Sequence, residues 1–273
     1  MISVLILTYN EEVNLPSCLA AVRWADDVLV VDSFSTDRTV EIARAAGARV
    51  LQNRFVNFAE QRNFGLEQGG LKHEWILHLD ADEVVTDEFK QEVAAKIQTE
   101  AWDAYRVPSK MMFQERWLKY SGMYPTYQVR LGRREKLKFI QVGHGQRESL
   151  AAEQLGTMEN ALLHYSFAKG MADWWARHER YAADEARQAL ASAATQLDWA
   201  GLFSGTDVVR RRRALKSLAS RLPGRPALRF FYMYILRRGF LDGLPGYRYC
   251  CMLAGYEALI VRKTRELRQA GKR

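Results

Sequence analysis

Short apolar runs alternate with longer helix-like stretches over the first third of the chain, and this alternation restricts the fold more than any other feature. The runs fall at residues 2–7, 28–31, 50–51 and 75–79. Each run is shorter than a typical helix and mostly aliphatic, which is typical of strands buried on both faces. The sequence therefore predicts an α/β fold, with a mostly parallel sheet that is covered by helices on both faces.

Capping residues predict where the intervening helices begin. Pro16 marks the first turn of one helix, Ser35 is expected to cap the second, and Thr86 is expected to cap the helix after the fourth strand. Phe89 and Val93 follow Thr86 at four-residue spacing, which predicts an apolar face on that helix.

Two aspartates, Asp80 and Asp82, directly follow the fourth apolar run. At the carboxyl end of a parallel strand, side chains face the crevice where ligands bind. Two close carboxylates repel each other unless a cation lies between them, and Mg²⁺ binds carboxylate and phosphate oxygens together. The pattern predicts a metal–diphosphate site, and the alternative is a loop whose two acids are solvated. His78, inside the strand, is expected to be a core histidine.

The first strand is not followed by a glycine-rich phosphate loop, which argues against a dinucleotide enzyme and a P-loop nucleotidase. A bound nucleotide would therefore be held by side chains. Asp32 is expected to accept a hydrogen bond from the base, and Arg62 to reach a phosphate. The loop after the first strand is expected to line the base and ribose through Thr8, Tyr9, Asn10 and Glu11.

The polar motifs together resemble those of family 2 glycosyltransferases, which have the GT-A fold. The matching motifs are TYNEE at 8–12, DSxSxDxT at 32–39, QRN at 61–63, LDADE at 79–83, YP at 124–125, VRL at 129–131, LLHY at 162–165 and FLDGLPG at 240–246. The subgroup that the chain resembles most is the bacterial lipopolysaccharide-core β-glucosyltransferases.

The resemblance implies transfer of a sugar from a UDP-sugar, with UDP-glucose the expected donor, and inversion at the anomeric carbon. It implies a divalent metal, Mg²⁺ or Mn²⁺, held by Asp82 with Asp80, and His164 is expected to complete the metal shell. The alternative for His164 is a core histidine with satisfied hydrogen bonds.

An inverting transfer needs a general base for the acceptor hydroxyl. Glu148 and His144 are the candidate catalytic residues, and Glu115 is a weaker candidate. Related sequences often carry adjacent His and Glu here, whereas this chain separates them. The alternative for Glu148 is a surface acid paired with Arg147, and His144 could instead be a hydrogen-bonding loop residue.

The basic excess lies entirely in the last part of the chain. Residues 171–273 hold 20 Lys and Arg against 9 Asp and Glu, whereas residues 1–170 hold 20 against 23. We therefore expect a GT-A catalytic domain at 1–170 and a basic helical region at 171–273. Basic clusters at 210–213, 237–238 and 262 flank the apolar stretches 227–236 and 247–261, which is typical of peripheral binding to an anionic membrane surface. The alternative is a helical subdomain with a solvated basic face.

The expected partners are a nucleotide-diphosphate sugar, a lipid-linked glycan acceptor and the inner face of the cytoplasmic membrane. No nucleic-acid motif accompanies the basic excess, so nucleic acid is not expected as a partner. Three cysteines without metal-binding spacing predict a reduced, cytoplasmic setting. A nucleotidyltransferase and a non-catalytic sugar-nucleotide-binding protein remain the alternative functions.

Overall fold

The computed structural model describes residues 1–142, 145–193, 197–203, 208–219 and 222–270. The chain divides into two compact units, Met1–Gly170 and Met171–Arg273. His144, a candidate catalytic residue, lies outside the described residues.

Parallel strands form the first half of the sheet in unit 1. They are β1 (Ser3–Thr8), β2 (Asp27–Asp32), β3 (Arg49–Gln52) and β4 (Trp75–Asp80). β1 lies between β2 and β4, and β3 pairs with the outer side of β2. All six residues of β1 are buried, because helices cover both faces of the sheet. Neither face is exposed to solvent, so polar residues do not alternate with apolar ones along the strand. The predicted strands and the mostly parallel sheet are confirmed.

Three helices connect these strands: α1 (Leu15–Ala21), α2 (Thr39–Ala45) and α3 (Phe58–Gln68). A fourth helix, α4 (Asp87–Lys96), follows β4 in the chain. The Thr86 side chain accepts a hydrogen bond from the backbone N–H of Phe89, so the predicted cap of α4 is confirmed. The prediction for Ser35 is wrong, because α2 begins only at Thr39. The Ser35 hydroxyl instead donates to Asp32 and accepts from the backbone of Asn10.

The second half of the sheet is mixed. It contains β5 (Glu83–Val84), β6 (Ala104–Phe113), β7 (Arg116–Trp117), β8 (Thr126–Arg133), β11 (Leu155–Thr157) and β12 (Leu162–His164). β8 lies antiparallel between β4 and β6, and β12 pairs in parallel with β6 and antiparallel with β5. The register of β8 shifts opposite Tyr105 and Arg106, where Arg130 is an extra residue that has no partner in the pairing with β6.

A separate hairpin of β9 (Phe139–Val142) and β10 (Gly145–Glu148) lies beside α3. Asn63 of α3 holds it by donating to the carbonyl of Phe139 at 2.8 Å and accepting from its N–H at 2.9 Å. The Asn63 amide thus pairs with β9 much as a neighbouring strand would, and it fixes the hairpin to the sheet domain.

Unit 2 is helical. Its helices are α5 (Gly170–Ala193), α6 (Trp199–Leu202), α7 (Val208–Ala219), α8 (Arg225–Phe231) and α9 (Gly243–Ala270), with a π-helical turn at Tyr232–Leu236 and a 3₁₀ turn at Gly239–Asp242. α8 is joined to α9 by an ion pair between Arg225 and Glu257. A Cβ at Gly246 would meet the side chain of Asp242 at 2.6 Å, so this position needs glycine for the close approach. Among the described helices, none combines the length and the apolar character that a membrane span requires.

Candidate functional site

The site lies where β1, β2 and β4 end at one edge of the sheet. Thr8 of β1 is in register with Asp32 of β2, and Leu7 is in register with Asp80 of β4. Parallel pairing therefore brings together three polar strand ends that are far apart in sequence.

Asp32 is fully buried and organises this edge. Its carboxylate accepts hydrogen bonds from the Thr8 hydroxyl at 3.1 Å, the Ser35 N–H at 2.9 Å and the Gln52 amide at 3.0 Å, and also from the Ser35 hydroxyl. The structure thus places Asp32 as the anchor of the loop after β2. Its carboxylate is directed into the protein, whereas the sequence predicts contact with a nucleotide base.

The loop after β1 carries the remaining predicted nucleotide-binding residues. The Tyr9 ring is 54% exposed, so it is available to a ligand. Asn10 adopts a left-handed conformation with φ of 53°, and its side-chain oxygen accepts from the N–H of Thr36 at 2.8 Å. The loops after β1 and β2 therefore hold each other in place.

Both carboxylate oxygens of Asp80 accept from buried arginines. Arg62 of α3 donates to one oxygen at 2.6 Å, and Arg130 of β8 donates to the other at 2.5 Å. Burial by itself raises the pKa of Asp80, but the charges of Arg130 and Arg62 outweigh burial and hold the pKa well below its usual value. The Arg62 side chain is 1% exposed, so the structure does not place it where a phosphate could reach it, contrary to the prediction.

Arg130 also donates to Glu83 at 2.6 Å, and Glu83 accepts from the backbone N–H of Asp80 at 2.9 Å. The extra residue in β8 is a β-bulge, a feature that re-aims a side chain. The bulge directs the Arg130 guanidinium to the end of β4. Two arginines and two carboxylates thus form a charge-balanced group, which we call the Asp80 cluster. Its arginines and Glu83 are buried, the Asp80 side chain is 33% exposed, and burial raises the pKa of Glu83.

His78 lies beneath this cluster and is fully buried. Its ring packs edge-on against Phe139, with centroids 5.0 Å apart. Burial lowers the pKa of His78 well below its usual value, and the charges of Arg62 and Arg130 lower it further. The prediction of a core histidine is confirmed.

Asp82 has a different surrounding. Its carboxylate lies 3.2 Å from Nε2 of His164, and the two side chains are 19% and 28% exposed. Burial lowers the pKa of His164, but the charge of Asp82 and the hydrogen bond to it dominate and raise the pKa to about 9. Ser166 lies 2.8 Å from the same ring nitrogen.

Residues His164–Lys169 cross the open edge of the site, and we call this segment the strap. Its start is held by a 2.8 Å hydrogen bond from the N–H of Tyr165 to the carbonyl of Asp82. Its end is held by Lys169, whose ammonium donates to the Glu11 carboxylate at 2.5 Å. The strap therefore connects the turn after β4 with the loop after β1.

Glu148 ends β10 and is directly opposite Phe139 in the hairpin. Residues that are directly opposite in an antiparallel pair share a face. Because Phe139 packs against His78 and lies 5.7 Å from the Arg62 guanidinium, Glu148 is on the face of the hairpin that is turned to the end of β4. Arg147 points to the opposite face, since neighbouring side chains alternate along a strand. Glu115 lies exposed at the β6–β7 turn, with φ of 59°.

Residues 3–150, more than half of the chain, match the family model described as glycosyl transferase family 2. The chain belongs to glycosyltransferase family 2. The sheet domain accordingly has the GT-A fold.

Relatives of this glycosyltransferase align over a limited stretch. An uncharacterised glycosyltransferase of Rickettsia bellii is 36% identical over 105 residues, which are 38% of this chain and 35% of that protein. The lipopolysaccharide core biosynthesis glycosyltransferase LpsC of Rhizobium meliloti is 32% identical over 87 residues, 30% of this chain and 32% of that protein. The chain thus spans about a third of the length of these relatives.

Among solved structures, the mannosyltransferase PcManGT from Pyrobaculum calidifontis, in complex with GDP-Man and Mn²⁺, has a TM-score of 0.49 to the glycosyltransferase chain. The two are 16% identical, and the likeness covers 96% of this chain and 86% of that one.

The Asp82–His164 pair fits a divalent metal in this glycosyltransferase. The Asp82 carboxylate oxygen and the His164 ring nitrogen lie 3.2 Å apart and both side chains are partly exposed, so both could bind one ion. In the described part of the chain, no group of three or more His, Cys, Asp or Glu side chains could hold a metal. Two protein ligands, supplemented by phosphate and water, are typical of Mg²⁺ sites.

Three residues of the site were missed by the interpretation of the sequence. Arg130 and Glu83 lie within quoted motifs but were given no role, and Lys169 lies outside every motif. A single arginine between Val129 and Leu131 in a buried strand is the one signal that could have found Arg130, because such a charge needs a buried partner.

Proposed function

We propose that this family 2 glycosyltransferase transfers a sugar, with glucose the expected one, from a UDP-sugar to a lipid-linked glycan in lipopolysaccharide-core synthesis, with inversion. The observation that carries the proposal is the partly exposed Asp82–His164 pair, which the strap connects to the loop after β1. It offers a carboxylate and an imidazole next to an exposed aromatic ring, which suits a metal-bound diphosphate joined to a nucleoside. The name of the relative LpsC favours the core-lipopolysaccharide acceptor.

In this proposal Asp82 and His164 hold Mg²⁺ or Mn²⁺, which would act as a Lewis acid on the departing diphosphate. Asp80 is fixed by Arg62 and Arg130, so we assign it to the ribose side of the site. Tyr9 and Asn10 line the nucleoside, and Asp32 keeps their loop in place through Thr8 and Ser35.

Glu148 is the proposed general base. It would take the proton of the acceptor hydroxyl on the face of the sugar opposite to the diphosphate. Its place opposite Phe139, on the side of the hairpin turned to β4, supports this role over that of a solvated surface acid. Glu148→Gln should leave donor binding nearly intact and lower kcat about 10²–10⁴-fold. Normal transfer by this variant, with an inactive Glu115→Gln variant, would move the assignment to Glu115.

The test of the donor is a panel of UDP-sugars and GDP-sugars, incubated with membrane extract and Mn²⁺. We expect release of UDP that depends on acceptor and stops with EDTA. Release of pyrophosphate from a nucleoside triphosphate and a sugar phosphate would identify a nucleotidyltransferase. Binding of the donor without any release would identify a non-catalytic sugar-nucleotide-binding protein.

A lipid-linked acceptor requires access to a membrane, and we propose that unit 2 supplies it. Between α8 and the start of α9, nine large apolar side chains are 41–63% exposed. We call them the apolar face: Leu228, Phe231, Tyr232, Ile235, Leu236, Phe240, Leu241, Leu244 and Tyr247. Such a density of exposed apolar residues is typical of an interaction surface.

The charge around the apolar face favours an anionic lipid surface on the cytoplasmic side. Residues 225–248 contain five arginines and one acid, Asp242, which is buried. Two of the sequence segments that were predicted to contact the membrane have other contacts in the structure. Much of the 247–261 stretch packs inside unit 2, where Cys250, Met252 and Ile260 are buried. Arg210, from the predicted basic cluster, forms a bidentate ion pair with Asp198.

Sedimentation with vesicles of phosphatidylcholine, with and without phosphatidylglycerol, tests this surface. The wild-type protein should sediment with the anionic vesicles, and salt should weaken the binding. Leu236→Asp with Leu244→Asp should abolish sedimentation, whereas Leu267→Asp, at the far end of α9, should not. Equal binding of wild type and the double variant would show that the apolar face covers something other than lipid.

A further inference from the structure

The two arginines of the Asp80 cluster are not available to bind the donor diphosphate. The Arg62 and Arg130 side chains are 1% and 3% exposed, and both are bound to carboxylates of the cluster. Neither can turn to a phosphate without breaking its ion pair with Asp80 and moving a buried guanidinium. A cation for the diphosphate must therefore come from another part of the site.

Lys169 occupies a suitable place at the end of the strap. Its side chain and that of its partner Glu11 are each 19% exposed, so the pair is within reach of a ligand that enters the edge of the sheet. The strap connects this pair to Asp82, because Tyr165 at its start is hydrogen-bonded to the Asp82 carbonyl. Burial raises the pKa of Glu11 despite its bond to Lys169, and the charge of Asp82 adds a small further increase.

Two further contacts hold the Lys169–Glu11 pair in position. The N–H of Glu11 donates to the hydroxyl of Thr39 at 2.7 Å, and its carboxylate accepts from the Asn14 amide at 2.8 Å. On the other side, Phe167 of the strap packs against Phe113 with centroids 4.6 Å apart. The carboxylate is thus fixed, and the long stem of lysine is the adjustable part of the pair.

The charges of the site leave a role for this lysine. A divalent ion with Asp82 and a diphosphate that carries two or more negative charges leaves an uncompensated negative charge. The ammonium of Lys169 can supply the missing positive charge, and it has three N–H donors, so it can bind a phosphate oxygen while it keeps its bond to Glu11.

We propose that Lys169 is a diphosphate-binding residue of the donor site and that Glu11 is the positioning residue that holds its ammonium at the edge of the sheet. This inference rests on the proposed function, because it presupposes a nucleoside-diphosphate donor. It also gives Glu11 a different role from the predicted contact with the nucleoside.

Binding measurements on the full chain, with Mn²⁺ present, test the role of Lys169. Calorimetry would measure UDP and GDP, and ligand-observed NMR would measure uridine and guanosine. Lys169→Met should weaken nucleoside-diphosphate binding about 10- to 100-fold, as expected when a charge-assisted hydrogen bond is lost. Binding of the nucleoside should be unchanged, and Lys169→Arg should retain most of the diphosphate affinity. The control is Lys96→Met, which removes a lysine from an ion pair with Glu92 on α4.

The outcomes separate this inference from the proposed function. If wild-type protein binds neither UDP nor GDP, the proposed function fails. If wild type binds one of them and Lys169→Met binds it equally well, the function stands and the role of Lys169 is wrong. An equal loss of nucleoside and nucleoside-diphosphate binding would also overturn the role, because it would show that Lys169 only maintains the strap. Mn²⁺ binding without nucleotide, measured by electron paramagnetic resonance, should not be weakened in the variant.

Discussion

The end of β4 and the turn that follows it place two aspartates in opposite surroundings, although one residue separates them in sequence. Asp80 is held by two arginines that are almost fully buried, within a cluster that Glu83 completes. Asp82 lies beside His164, and both side chains of that pair are partly exposed. The difference shows that the two carboxylates of this motif can have different functions, one in an ion-pair cluster and the other in ligand binding.

The surroundings decide which of the two carboxylates a metal ion can take. An ion at Asp80 would compete with two permanently charged guanidinium groups, and it would add positive charge beside them. An ion at Asp82 would replace the proton between Asp82 and His164 and could use the imidazole as a second ligand. We therefore propose that the metal binds to Asp82 and His164, and that Asp80 keeps a fixed place on the ribose side of the site.

Asp82→Asn should have the largest effect on activity. A neutral amide is a poor metal ligand, so the charge on the departing diphosphate would lose its screening. We expect donor turnover to fall by about 10³-fold or more, equivalent to several kcal/mol of transition-state stabilisation. UDP release in a range of Mn²⁺ concentrations measures it. Full recovery at high Mn²⁺ with unchanged kcat would indicate that Asp82 only tunes metal affinity.

Arg130→Met should have the largest effect on folding. It would leave Asp80 and the buried Glu83 with one arginine for two carboxylates, and breaking a buried ion pair such as Arg130–Glu83 typically costs about 3–5 kcal/mol. Urea denaturation measures the loss. Arg133→Met is the matched control on the same strand, because Arg133 pairs with the exposed Glu74 and such pairs contribute about 0–1 kcal/mol. Equal destabilisation by the two variants would refute the account of the Asp80 cluster.

Asp32→Ala should have a smaller effect, which sharpens the contrast between fixed and ligand-binding carboxylates. Because Asp32 holds the loops after β1 and β2, its removal should weaken UDP binding by about 1–3 kcal/mol, the usual cost of unpaired buried polar groups. Calorimetry with UDP, GDP and CDP measures this. An unchanged UDP affinity would show that the loops keep their shape without Asp32, and preference for GDP would count against the proposed donor.

The strands and the edge of the sheet could be predicted from the sequence because their signals are local. A buried parallel strand reads as an unbroken apolar run, as in β1, and polar residues directly after such runs mark the ligand edge. Thr86 was predicted as a cap for the same reason, since its hydrogen bond to Phe89 spans three residues. Ser35 has a similar local pattern, but tertiary hydrogen bonds to Asp32 and Asn10 prevail there.

The partners of the charged residues could not be predicted, because they depend on distant pairing. Arg130 reaches Asp80 across 50 residues, and its direction comes from a bulge that only the register with β6 defines. Lys169 reaches Glu11 across 158 residues. The motif Asp-x-Asp therefore identified the place of the site, whereas the division of labour between its two carboxylates required the structure.

Mn²⁺ binding to wild type, Asp80→Asn and Asp82→Asn, followed by electron paramagnetic resonance without nucleotide, tests the central claim most directly. Circular dichroism at the same temperature would establish that each variant is folded. We expect Asp82→Asn to lose Mn²⁺ binding, and Asp80→Asn to keep it with a modest loss caused by the unbalanced arginine charge. Loss of Mn²⁺ binding in Asp80→Asn as complete as in Asp82→Asn, or retention in Asp82→Asn, would contradict the assignment of the metal to Asp82 and His164.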